Sequence, residues 1–199
     1  MRAVLLLLGE LSDSDIDWIL ASSQCEQIAP GDVLIREGEK VDALYVVLTG
    51  KLTVSISQAS DDPLLRVYTA LEGEVPQREL AKLSGGEMVG EMAFMDTRPH
   101  ATTIQALEDS VVLSIPRSIL LAKLQQDSGF AIRFYRALAA ILTDKLRSTF
   151  SRFRYSNGQP LDNQKEYEDE LDPIVMEHLA LAGARFDWLL QNVNHADQF

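Results

Sequence analysis

Cys25 is the only cysteine among the 199 residues. No disulfide can close within the chain, and one thiol cannot build a thiolate metal centre. Between Gln24 and Glu26 it reads as an ordinary reduced side chain. Long apolar runs are also missing. Val4-Leu5-Leu6-Leu7-Leu8 follows a single arginine and leads into Gly9-Glu10-Leu11-Ser12. That block is too short for a secretory core and has no small-residue cleavage site behind it. Nothing approaches the ~20 apolar residues of a membrane span, so a cytoplasmic chain without a membrane partner is expected. Positive charge is scarce, with 18 Lys and Arg against 30 Asp and Glu and a net charge of −12. Such a balance argues against nucleic acid or an anionic membrane as the main partner. The three histidines, His100, His178 and His195, share no metal-binding spacing. No nucleophile–base set stands out, so neither catalysis nor a metal or cofactor is expected.

What is present is an ordinary globular composition, 46% hydrophobic and 24% charged, long enough for one core and an appendage. Ser12-Asp13-Ser14-Asp15 resembles a capping box, with Ser12 as N-cap and an acid three residues on. Ile16, Ile19 and Leu20 share one face behind it, which predicts a helix to about Ser22. Val33–Ile35, Ala43–Leu48 and Leu52–Ile56 are β-rich and bounded by glycine turns at Gly31, Gly38 and Gly50. Ser57–Pro63 reads as a hairpin tip, Leu64–Ala70 as a returning strand, and Glu72–Glu79 as an acidic loop. Short strands at this spacing suggest a jelly roll.

The stretch with most chemistry is Val89–Ala106. Gly90 and Glu91 open it, an apolar-leaning run follows, and Arg98-Pro99-His100-Ala101 closes it. Glycine permits a close backbone approach. A short helix starting at Glu91 or Met92 would aim its unpaired N–H groups and positive dipole end into that approach, where an anion fits. Strands are predicted at Thr102–Ala106 and Val111–Ile115, which sets a phosphate-sized cradle in a β framework.

These residues resemble the phosphate-binding cassette of cyclic-nucleotide-binding domains, whose pattern is roughly Phe-Gly-Glu, an apolar run, then Pro-Arg-Ala-Ala/Ser-Thr. Gly90, Glu91, Pro99, Ala101 and Thr103 match, and His100 stands where the family places its phosphate-binding arginine. Pro30–Glu39 and Leu44–Val54 are similar to the opening strands of the same roll. The resemblance implies a mainly β fold with flanking α. Its centre is a cyclic-nucleotide-binding double-stranded β-helix, or jelly roll, with an N-terminal helix, a long C-terminal helix and an extra terminal helix. The expected site is Val89, Gly90, Glu91, Met92, Arg98, Pro99, His100, Ala101, Thr102 and Thr103. By resemblance, Glu91 accepts from the ribose 2′-hydroxyl. N–H groups of the Gly90-Glu91-Met92 turn and of Ala101 hold the cyclic phosphate. Ala101, where guanine-selective members have threonine, favours adenine, so a ligand like cyclic AMP is implied.

Replacing arginine removes a planar, always-charged donor pair. At about 1.5–3 kcal/mol for a bond to a charged group, affinity falls by about one to two orders of magnitude. A protonated His100 restores part of it, which predicts binding that strengthens from pH 8 to pH 6. Arg98 is two residues earlier, across a proline that fixes the local backbone. The opposing reading is a degenerate roll, in which Glu91 and Arg98 or His100 pair and hold the loop shut, and the helices serve as an interaction or scaffold surface for an unidentified protein.

Ser118–Gln126 is predicted helical, with Asp127 or Ser128 capping a longer helix. There Phe134, Leu138, Ile141 and Lys145 form one stripe flanked by Tyr135 and Leu142. The stripe has two readings, packing on its own roll or pairing with a second chain. In bacterial regulators of the family the equivalent helix is the dimer seam, so a homodimer through the 130–150 helix is expected. Lys145–Tyr155 interleaves cations with aromatics, which suits either nucleic acid or a helix C-terminus. The acidic stretch after it, shorter than a helix-turn-helix domain, argues against DNA.

Ser156–Glu170 reads as a flexible linker. Asp172-Pro173 then opens a last helix whose stripe is Val175, Leu179, Ala182, Phe186, Leu189 and Val193. The expected division is 1–155 for the cyclic-nucleotide-binding-like domain with its long helix, 156–170 for the linker, and 171–199 for the amphipathic helix.

Overall fold

A computed structural model describes residues 2–57, 77–96, 98–156 and 173–196. The expected hairpin tip beyond Ser57, the Leu64–Ala70 strand, most of the acidic linker and the Asp172 cap lie outside these residues. The chain forms two compact units. One comprises Ser22–Leu121, and the other combines Arg2–Ala21 with the chain from Ala122 onward. The long helix is thus grouped with the helices at both ends of the chain, whereas the sequence reading grouped it with the roll.

The first unit is the roll. Its strands are β1 (Gln24–Ile28), β2 (Val33–Ile35), β3 (Ala43–Thr49), β4 (Lys51–Ser57), β5 (Gln77–Ser84), β6 (Met88–Val89), β7 (Thr103–Ala106) and β8 (Ser110–Pro116). They form two four-stranded antiparallel sheets, ordered β1-β8-β3-β6 and β2-β7-β4-β5. Ile35, Val41, Val47, Leu52, Val89, Ile104, Ala106 and Val112 make one buried core cluster. Branched side chains suit a pleated, half-buried surface, and each one fully buried contributes about 1.5–3 kcal/mol. Gly50, at φ 89°, turns β3 into β4, and a Cβ there would meet Ser110 Oγ at 2.2 Å.

Two parts of the roll correct the sequence reading. Glu72–Glu79 was expected to be loop, yet Gln77, Arg78 and Glu79 belong to β5 and pair with Ser57, Ile56 and Ser55. Their polarity reflects solvent exposure, and Thr53 Oγ1 donates to Glu79 Oε2 at 3.2 Å. β1 was not expected at all. It pairs along β8 from Gln24↔Ser114 to Ile28↔Ser110, with a polar sequence that carries little strand signal.

The second unit is helical: α1 (Arg2–Glu10), α2 (Asp13–Ala21), α4 (Ser128–Ser156) and α5 (Pro173–Ala196), with α3 (Arg117–Gln126) running across the division. The Ser12 box forms as read, with Ser12 N–H donating to Asp15 Oδ2 at 2.8 Å and Asp15 N–H donating to Ser12 Oγ at 3.3 Å. Asp127 caps α4 by accepting from Phe130 N–H at 2.9 Å. α1, for which the sequence reading gave no helix, packs against both α4 and α5. Its Ala3, Val4, Leu7 and Leu8 are buried, as are Phe134, Leu138 and Ile141 of α4 and Ala182, Phe186, Leu189 and Val193 of α5. Among the described residues no helix is long and apolar enough to cross a membrane.

Candidate functional site

The cassette begins where β6 ends. Val89 pairs with Tyr45 of β3, and both Met88 and Val89 are buried. Gly90 follows at φ 86° and acts as N-cap of a four-residue 3-10 helix, Glu91–Phe94. The short helix predicted from the sequence is present at the predicted start. The glycine has a second reason, because a Cβ at Gly90 would lie 2.4 Å from the Ala43 carbonyl oxygen. The close approach that glycine permits here is to the backbone of β3, whereas the sequence reading had it made to a ligand.

Glu91 is buried, at 4% exposure, while Met92 and Met95 stand out at 55% and 56%. Ala93 N–H bonds back to the Gly90 carbonyl at 3.2 Å. The first N–H groups of any such helix have no acceptor within it, which gives its start a positive character.

Arg98 does not reach toward Glu91's end of the helix. Its Nε and backbone N–H both donate to the Asp96 carboxylate, and its side chain is 84% exposed. The Arg98 backbone N–H first, and the guanidinium second, hold the Asp96 carboxyl below its ordinary value. Pro99 and Ala101 are exposed.

His100 is fastened by its backbone and its ring. Its N–H donates to Glu39 O at 2.8 Å, and its carbonyl accepts from Gly38 N–H at 2.8 Å. Its Nδ1 is 2.8 Å from Thr102 O. Thr102 N–H and Thr102 Oγ1 lie 3.4 and 3.3 Å from the same nitrogen. Thr103, at the start of β7, accepts from Glu37 N–H through Oγ1 at 3.2 Å. Residues 100–103 are thus sewn to the turn at Glu37–Glu39.

Arg117 is one cassette neighbour that sequence reasoning took only as the end of the roll. Its Nε and Nη2 donate to the Ala93 carbonyl at 3.3 and 3.1 Å. Its guanidinium carbon is 6.0 Å from the Phe94 ring centroid, within cation–π range. Arg117 and Ala93 are 24 positions apart in the chain, too far for a local pattern to signal this contact.

A left-handed Gly90 thus caps a short helix whose first residue, Glu91, is buried. The chain belongs to the cyclic nucleotide-binding domain family, whose model matches residues 25–127. A lysophospholipase, nte1 of Aspergillus fumigatus, is 28% identical over 132 residues, which cover 66% of this chain and 7% of that protein. This and the similar lysophospholipase matches run only through the cyclic nucleotide-binding domain. The chain spans 7% to 8% of the length of the curated relatives it matches first.

Two solved structures are similar in fold. The N-terminal domain of a transcriptional regulator from Streptomyces coelicolor has a TM-score of 0.56 at 26% identity, covering 72% of this chain and 90% of that one. A cyclic nucleotide-binding domain from Methylobacillus flagellatus has a TM-score of 0.64 at 18% identity, covering 81% and 86%.

Proposed function

We propose that this chain is a regulatory ligand-sensing module whose cassette takes a cyclic nucleotide, adenine being the favoured base, at a phosphate site modified by His100. The observation that supports this most is the helix start, where Gly90 is left-handed, the helix opens at Glu91, and Glu91 is buried. In this reading Glu91 takes the ribose 2′-hydroxyl, and the N–H groups of the Gly90–Met92 turn and of Ala101 take the cyclic phosphate. Val89 sets the approach of the turn, while Pro99, Thr102 and Thr103 shape the returning strand. His100, whose Nδ1 lies 2.8 Å from Thr102 O, stands in the phosphate-binding position. Arg98 contributes its charge from the rim. Such a module acts by signalling and not by catalysis, in the cytoplasm.

Calorimetry with cyclic AMP tests the assignment. Glu91→Gln is expected to weaken binding by about one order of magnitude, the effect of one bond to a charged acceptor. Unchanged affinity in that variant would remove Glu91 from the site.

The output we assign to the module is a homodimer through the 130–150 helix. Phe134, Leu138 and Ile141 are already buried, and α1 of the same chain packs on this helix. The free face is a different stripe, in which Ile132, Tyr135 and Leu146 are 64%, 41% and 55% exposed. With Ala139 and Leu142 its spacing is 3, 4, 3, 4, the seam of a coiled coil.

A second reading is favoured by the local engagement of two cassette side chains, Arg98 with Asp96 and His100 with Thr102. There the roll binds no nucleotide and the helices hold a protein partner. A pull-down that survives His100→Ala with Glu91→Ala, yet is lost on truncation after Glu170, supports this second reading.

A further inference from the structure

Beside the far end of the 3-10 helix is a cavity of about 100 Å³, lined by Lys40, Asp42, Ala93, Asp96, Arg98 and Arg117. Three cations meet two carboxylates there, an excess of one positive charge in a chain whose net charge is −12. Arg98 spends its Nε on Asp96, and Arg117 spends Nε and one Nη2 hydrogen on Ala93 O. A guanidinium carries five N–H donors, so both forks keep donors for a ligand. Lys40 is exposed and has no ion-pair partner among the described residues.

We propose that this cavity is a second ligand site, which shares only Arg98 with the residues assigned to the cyclic nucleotide cassette, and that it takes a small phosphate anion or the terminal phosphate of a phosphomonoester. Two planar forks and an ammonium suit a tetrahedral oxyanion, since guanidinium pairs with phosphate through parallel bonds and ammonium acts as a point charge. Size selects the class. The cavity is well below the roughly 300–1,000 Å³ of pockets that enclose drug-sized ligands, so it accepts one phosphate group and not a whole nucleotide. Position sets it off from the cassette mouth: Ala93 is the third residue of the 3-10 helix and Asp96 lies two residues past its end, Gly90 and Glu91 are at its start, and neither Glu91 nor His100 lines the cavity. The Asp42 and Asp96 carboxylates limit the affinity to about the millimolar range, in which a few exposed charge pairs operate.

Calorimetric titration of the full chain with inorganic phosphate tests the site, ionic strength being held constant with chloride. A parallel arm uses glycerol 3-phosphate. Saturable binding is expected, weakened about three- to tenfold by Lys40→Ala. Lys40 is exposed, so its variant keeps the fold. His100→Ala and Glu91→Gln are expected to leave phosphate binding unchanged. A tighter ester assigns the site to a phosphorylated metabolite, and equal or weaker ester binding assigns it to inorganic phosphate. The proposal is overturned if no saturable heat appears, if chloride competes on equal terms, or if His100→Ala abolishes binding while Lys40→Ala does not.

Discussion

Gly90 carries two constraints at once, a left-handed backbone and a carbonyl where its side chain would be. Alanine there suffers the ~1–2 kcal/mol of the left-handed region and a contact of 2.4 Å with Ala43 O. A loss of about 2 kcal/mol or more is expected, which thermal unfolding reads as a Tm lower by about 4–8 °C. Asp15 is the buried acid of the helical unit, at 3% exposure. Burial alone would raise its pKa, but hydrogen bonds from Arg133 and Ser12 outweigh burial and hold it below the ordinary value. The folded state therefore binds the Asp15 proton less readily than the unfolded chain does. This stabilisation is complete above about pH 4 and is lost as pH falls through the depressed value. Asp15→Asn should cost about 2 kcal/mol near neutrality, where a bidentate charged contact at 2.7 and 3.0 Å is removed. Its difference from wild type should shrink on acidification. A difference that stays constant in denaturant titrations from pH 7 to pH 3 would contradict the pairing. The seat of His100 was legible by counting from Glu91. Its ring contact with Thr102 was not, because a two-residue return has no sequence signature.

Among elements, legibility followed periodicity and turn chemistry. β2, β3, β4, β7, β8 and the helices behind Ser12, Arg117 and Asp127 were read nearly to their ends, since glycine turns and caps delimit them. α1 was missed because Val4–Leu8 is apolar without interruption and so shows no face. In the structure Ala3, Val4, Leu7 and Leu8 are its buried face, and Leu5 and Leu6 are half-buried. Arg185 of α5 closes this packing. Its Nη1 donates to the Leu8 and Leu11 carbonyls at 2.6 and 2.9 Å, at the end of α1 where carbonyls lack helical partners. Nε and Nη2 bind Asp13 Oδ1 at 3.0 and 2.6 Å. Arg185→Ala is expected to destabilise by about 2 kcal/mol, and Arg185→Lys should rescue only part, since one ammonium cannot span three acceptors. Hydrogen exchange of α1 amides in the two variants measures it, and equal protection in Arg185→Ala and wild type would rule out the cap.

For the whole molecule, the sequence showed a roll and a cassette far more readily than an output. Roll and cassette rest on local patterns, whereas the grouping of α1, α2, α4 and α5 depends on contacts across most of the chain. The exposed Ile132–Tyr135–Leu146 stripe predicts that sedimentation finds a dimer. Ile132→Glu with Leu146→Glu should return it to a monomer of unchanged helicity, and a wild-type monomer at high concentration would remove that output.

The central claim, that a histidine occupies the anion position of a working cyclic nucleotide cassette, is tested most directly by cyclic AMP calorimetry of wild type beside His100→Arg. Restoring a forked cation at that position should tighten binding by about one to two orders of magnitude. Absence of saturable heat in both proteins at millimolar ligand would contradict it.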